Sequence, residues 1–176
     1  MRMKRDVLWW QAAGFAATAV GGTLLHFLYE WSGKSLWVAP FAAVNESTWE
    51  HTKLLYFPAM VFALVQSFFF RDYPHFWWVK LAGTALGLFL IPALFYLYNG
   101  AVGPSPDWLN ISFFFLSVAG VFLLEWTLFG QGGSSPGHPC IPQGILLAFG
   151  VLFAVLTFAT PHLPLFRDPL TGTYGI

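Results

Sequence analysis

Residues 76–98 read FWWVKLAGTALGLFLIPALFYLY, and what surrounds that stretch decides the fold. Beyond Lys80 it carries no charge, and its Leu, Phe, Ala and Ile side chains fall on every side of a helix. A helix that is apolar all round faces lipid or a large core, whereas a one-sided soluble helix keeps a polar face. Its length is close to the roughly 20 residues that cross about 30 Å of hydrocarbon. Four more stretches of the same kind flank it: residues 8–28, 52–70, 108–129 and 141–160. The segments between them, residues 31–40, 71–75, 99–107 and 130–139, are dense in Gly, Pro, Ser and Asp, as connections are. The expectation is an all-α, polytopic membrane bundle. It has five transmembrane helices in one domain, residues 1–176, with an ordered tail over residues 161–176.

Composition agrees. Of the 176 residues 57% are hydrophobic and 9% charged, against about 25% charged in an ordinary soluble domain. So little charge cannot cover a globule in water, which leaves the lipid bilayer as the main partner. A net charge of zero gives no reason to expect a nucleic-acid partner. The single cysteine, Cys140, excludes an intrachain disulfide framework and a multi-cysteine metal cluster. All nine tryptophans fall at or beyond a span end: Trp9, Trp10, Trp31, Trp37, Trp49, Trp77, Trp78, Trp108 and Trp126. Indole favours that depth because its body is apolar while its N–H seeks a partner.

The basic start Arg2, Lys4, Arg5 predicts a cytoplasmic N-terminus by the positive-inside rule. Arg71 and Lys80 fall on the same side, and Lys34, Lys53 and Arg167 on the other. A basic start, an apolar run and Ala17-Thr18-Ala19 resemble a cleaved signal, but the apolar run continues to Leu28. The first span is therefore expected to be retained in a prokaryotic inner membrane. Gly83 and Gly87, Ala17 and Gly21, and Thr18 and Gly22 place small residues one turn apart, where backbones can approach closely. That spacing serves the internal bundle or a homodimer. Pro58 and Pro92 inside spans predict kinks.

With an odd number of crossings, polar residues collect at the extracytoplasmic face. His26 and Glu30 share a helix side at the end of the first span. The first outer loop ends in Asn45-Glu46-Ser47-Thr48-Trp49-Glu50-His51-Thr52-Lys53. Asp107 and Asn110 open the fourth span; His162 and Asp168 follow the fifth. One reading of Ser47-x-x-Glu50 is a capping box, in which the serine caps the helix start and the glutamate reaches back. The density of ionisable groups points further. His26, His51 and His162 supply imidazoles, and Glu46 and Glu50 supply carboxylates. That set, with no thiolate, suits zinc or another divalent ion. Neither HExxH nor HxxEH occurs.

Glu125 stands apart, near the cytoplasmic end of the fourth span. A partner for it is either Lys80 or an N-terminal arginine; alternatively it is the inner half of a proton or cation path. The tail, with three prolines but also Leu163, Leu165, Phe166, Leu170 and Tyr174, reads as a flap packed over the outer mouth of the bundle.

The runs His26-Phe27-Leu28-Tyr29-Glu30-Trp31-Ser32-Gly33 and Ala43-Val44-Asn45-Glu46-Ser47-Thr48-Trp49-Glu50-His51 resemble an uncharacterised family of small polytopic prokaryotic membrane proteins. That likeness covers most of the chain and implies a multi-helix membrane protein without implying a reaction. A further likeness, to the haemolysin III and progestin/adiponectin-receptor membrane hydrolases, rests on Asn45-Glu46 followed by Thr and His at a helix start. It implies a histidine-held zinc at one membrane face. Here the Glu46 to His51 spacing differs, the paired His-x-x-x-His is absent and five spans stand in place of seven, so no residue role carries over.

Three functions follow as expectations. The first is a metal-dependent hydrolase of a lipid or small amphiphile, with His26, His51 and His162 as ligands and Glu50 or Glu46 as general base. The others are a non-catalytic membrane partner or assembly factor, and a small proton-coupled transporter using Glu125. Glu30, Asn45, Lys53, Asp107 and Asp168 complete the polar site.

Overall fold

The computed structural model describes residues 2–131 and 136–176, residues 2–5 by backbone alone. The connection expected over residues 130–139 therefore lies partly outside the described residues, as do the side chains of Arg2, Lys4 and Arg5. Among the described residues five α-helices follow one another: α1 Arg2–Trp31, α2 Thr48–Ser67, α3 Phe76–Ala101, α4 Asp107–Gln131 and α5 Cys140–Phe158. A 3₁₀ turn, Pro164–Phe166, closes the chain. Among the described residues no strand forms, only an isolated bridge between Arg167 and Tyr174.

Four of the helices are long and apolar enough to cross a membrane: α1 from Asp6 onward, α3, α4 and α5. Each buries a third or less of its most apolar window inside the protein. Val20, Leu24, Phe89, Leu97, Leu116 and Leu147 are among the large apolar side chains left exposed, which fits contact with lipid and not with water.

The fifth expected span behaves differently. α2 begins four residues earlier than expected, at Thr48, and its first two turns carry Glu50, His51 and Lys53. Those polar turns keep its most apolar window below those of the other four helices. They are compatible with the bundle because α2 is the inner helix: half of its residues are buried, Glu50 and Lys53 included.

Glycines set the helix spacing. A Cβ at Gly22 would lie 2.5 Å from the Leu54 carbonyl oxygen of α2 and 2.5 Å from the Phe114 ring of α4, and one at Gly21 would meet Pro58. A Cβ at Gly83 would meet the Glu125 carboxylate of α4, and one at Gly87 would meet Val121 of α4 and Leu55 of α2. The small-residue motifs thus serve the internal bundle, with α1 and α3 each packed on α2 and α4. Pro58 and Pro92 both lie inside helices that continue through them.

Around these approaches lies a core of Leu54, Leu55, Ile91, Phe114, Val118, Val121 and Phe122. α5 is fastened to the first half of α2, where Tyr56 donates to the Leu146 carbonyl and Phe153 packs against Trp49, Tyr56 and Phe57.

The loop between α1 and α2 and the C-terminal tail meet at one end of the bundle. Asn45 donates its side-chain N–H to the Gly175 carbonyl at 2.9 Å, and the Phe166 ring lies 4.8 Å from that of Trp49. Within the tail, Asp168 accepts from the backbone N–H groups of Leu170 and Thr171. That turn holds Pro169 and Leu170 over a cavity described next.

Candidate metal site

Three segments bring ligands to one place. His26 projects from the penultimate turn of α1, and Gly22, one turn before it, lets α1 touch the backbone of α2. That approach sets the His26 ring 5.5 Å from the His51 ring on the first turn of α2. Glu46 comes from the loop just before α2. Its position is fixed by Asn45, whose side-chain oxygen accepts the Ser47 N–H while its amide holds the tail.

The Glu46 carboxylate spans the two rings. One oxygen is 3.7 Å from His26 Nε2 and the other 3.5 Å from His51 Nε2. One ligand atom from each residue lies within 4.8 Å of the other two, and all three residues are half-buried. Around a tetrahedral zinc with bonds of about 2.0–2.2 Å, ligand atoms sit about 3.3 Å apart. From a spread of up to 4.8 Å the three atoms must draw together to reach that geometry.

The orientation of His51 supports the same use. Its Nδ1 lies 2.9 Å from the Ser47 carbonyl oxygen, which only a protonated Nδ1 can satisfy. In the neutral ring this leaves the lone pair on Nε2, the nitrogen that faces Glu46, as a ligand's must be. On His26, Nδ1 is buried without a hydrogen-bond partner among the described residues, so that ring lacks the corresponding anchor.

The cluster opens into a cavity of about 500 Å³. Its walls are largely apolar, with Ile91 and Phe95 from α3 and Phe113 and Phe114 from α4. Asp107 and Asn110 lie elsewhere on its lining, and Pro169 and Leu170 of the tail close one side. A concave apolar space with a few convergent polar groups is the usual form of a small-ligand site.

Several of the other expected site residues lie elsewhere. Glu50 does not line the cavity. Its carboxylate accepts the Val44 N–H at 2.9 Å and pairs with Lys53. Lys53 in turn donates to the Ala39 carbonyl and to Thr157 of α5, both at 3.0 Å. With 3% and 0% exposure, this pair ties the loop and α5 to α2. Half of the capping box forms, since Ser47 Oγ accepts the Glu50 N–H; the reciprocal half is replaced by the bond to Val44.

His162 lies against Tyr174 in the tail, ring centroids 4.7 Å apart. Glu30 makes an exposed pair with Lys34 at 3.4 Å. Glu125 pairs with Lys80 of α3 deep in the bundle, one of the two kinds of partner expected for it.

Two contributors escaped the sequence reading. One is the Ser47 carbonyl behind His51, a backbone group that residue identity does not reveal. The other is the Phe95, Phe113 and Phe114 wall, indistinguishable in sequence from lipid-facing phenylalanines.

Fold and cluster together define a helical membrane protein with a His/Glu cluster at one end of its bundle. No curated protein and no solved structure matches this chain. Over residues 1–176 the chain belongs to the family of unknown function DUF6512.

Proposed function

We propose that this protein binds a divalent metal ion, zinc by ligand preference, through His26, Glu46 and His51 at the extracytoplasmic face of a prokaryotic inner membrane. The observation that carries the reading is the convergence of three ligand atoms within 4.8 Å from α1, the loop and α2. Imidazole and carboxylate donors without thiolate suit zinc. Three protein ligands leave coordination free for water or substrate, as in hydrolytic sites.

The adjoining apolar cavity fits the chain of an amphiphile, which makes hydrolysis of a lipid-like ester or amide the corresponding activity. Glu46 is then a ligand, and Asp107 is a carboxylate elsewhere on the cavity wall. Metal content of the purified protein tests the first part. The expected result is about one zinc per chain, lost in His51→Ala and Glu46→Ala while both variants stay folded. A wild-type protein without stoichiometric metal, unchanged in melting temperature by added zinc, overturns it. The second part predicts turnover of acyl-ester amphiphiles that chelation abolishes.

A non-catalytic role as a membrane partner is favoured by one observation. Leu36 and Trp37 in the loop beside the site are 61% and 89% exposed, an apolar tip suited to docking. In that case His26→Ala, Glu46→Ala and His51→Ala leave the biological role intact and Trp37→Ala removes it. For the transporter reading, Glu125→Gln should abolish solute flux in proteoliposomes.

A further inference from the structure

Gln11 on α1 and Gln66 on α2 are buried at 3% and 0% exposure. Neither the amide oxygen nor the amide nitrogen of either has a hydrogen-bond partner among the described residues. Helix register places them together. Gly14 of α1 faces Phe62 of α2 and Phe122 of α4, and Gly22 faces Leu54 and Phe114. The three helices therefore run in step, so the turn of α1 that precedes Gly14 falls level with Gln66 and Glu125.

Glu125 is joined to Lys80 of α3, and the Lys80 ammonium lies 5.8 and 5.5 Å from the Phe62 and Phe122 ring centroids. Each of α1 to α4 thus contributes one buried polar side chain to a single level of the bundle. At about 1.5 Å of helix rise per residue, this level lies some 22 Å along α1 from His26. It is separate from the candidate metal site.

An amide left unpaired in a low-dielectric interior is costly, and buried polar groups in folded proteins are almost always satisfied by protein or by ordered water. The chemistry of the level says what satisfies these. Lys80 and Glu125 neutralise one another, so neither a cation nor an anion finds a net opposite charge. Each glutamine offers two donors and one acceptor, so its complement both donates and accepts. We propose that Gln11 and Gln66, beside the Lys80–Glu125 pair, form a buried intramembrane site that binds water. Ordered waters in such places commonly make two to four hydrogen bonds, which two facing amides and an ion pair can supply.

Solid-state NMR of the full chain in bilayers, with ¹⁵N-glutamine and ¹³C-methyl-valine labelling, tests this by polarisation transfer from water protons to the side-chain amides and methyls. The exposed Gln131 and Gln143 serve as wet references, and the buried Val118 methyls as a dry one. Gln11 and Gln66 are expected to build up signal within about twofold of the wet references. Build-up at both as slow as at Val118 overturns the proposal, and this comparison requires the wild-type protein only. In Gln66→Leu, transfer at Gln11 should fall several-fold as the shared water is displaced; an unchanged rate there means that no shared site exists.

Discussion

At position 50 a carboxylate is committed to the backbone and to one lysine. Glu50→Gln would leave the Lys53 ammonium, at 0% exposure, without its counter-charge in the protein interior. Breaking a buried pair by removing one partner typically costs about 3–5 kcal/mol, whereas replacing both partners by apolar groups is often close to neutral. Thermal unfolding in detergent should therefore show a larger loss for Glu50→Gln than for Glu50→Leu combined with Lys53→Met. Equal losses would mean that the Val44 and Ala39 bonds, not the charge pair, hold the loop. The candidate cluster at this scale was legible in part because its residue types are rare: few imidazoles and carboxylates interrupt so apolar a chain, so His26, Glu46 and His51 stood out, but His162, which lies against Tyr174, stood out equally. What separates Glu46 from Glu50 was not legible. Both precede or begin the same helix, and only the fold of residues 32–47 turns one toward the cavity and the other toward Val44 and Lys53.

Helix against helix, the small residues decide how near His26 and His51 can come. Gly22→Ala would thrust a methyl group to 2.5 Å from the Leu54 carbonyl, a rigid backbone atom, so α1 must shift from α2. Overpacking of that kind costs about 1–3 kcal/mol, and it separates His26 from His51. The expected outcome is a lowered melting temperature together with weaker zinc binding, by tenfold or more, read by competition with a chromogenic chelator. Gly144→Ala on α5, where nothing lies within 4 Å of the added carbon, is the control; it should leave both quantities unchanged or raise stability slightly through helix propensity. Loss of zinc binding in Gly144→Ala as well would sever the link between packing and site. The spacing of these glycines was visible in the sequence. Which neighbour they admit was not, because the same period fits an internal contact and a dimer. α2 shows the converse limit. Its polar first turns lower its hydropathy, and only burial among the other helices reconciles Glu50 and Lys53 with a place in the bundle.

For the whole molecule, the arrangement of both termini around the bilayer rests on whether α2 crosses it. The tail is bound to the first loop through Asn45 and Gly175, and through Phe166 and Trp49, so these two segments share a face whatever the orientation. The free, exposed Cys140 begins α5 at the opposite end. A membrane-crossing α5 places Cys140 and the 77% exposed Leu170 on different sides of the membrane. An impermeant maleimide applied to intact cells should label Leu170→Cys in a Cys140→Ser background and should spare Cys140 in the wild type, with both labelled after permeabilisation. The reverse pattern would put the His26–Glu46–His51 cluster on the cytoplasmic face, and the proposed metal and amphiphile would then have to come from the cell interior. Labelling of both positions from one side would contradict the connection that α5 makes between them. The basic residues at positions 2, 4 and 5 favour the first pattern, because a positive cluster before the first span resists translocation. Exchanging that cluster for glutamines should therefore erode the selectivity of labelling while the Asn45–Gly175 contact keeps loop and tail together on whichever side they reach.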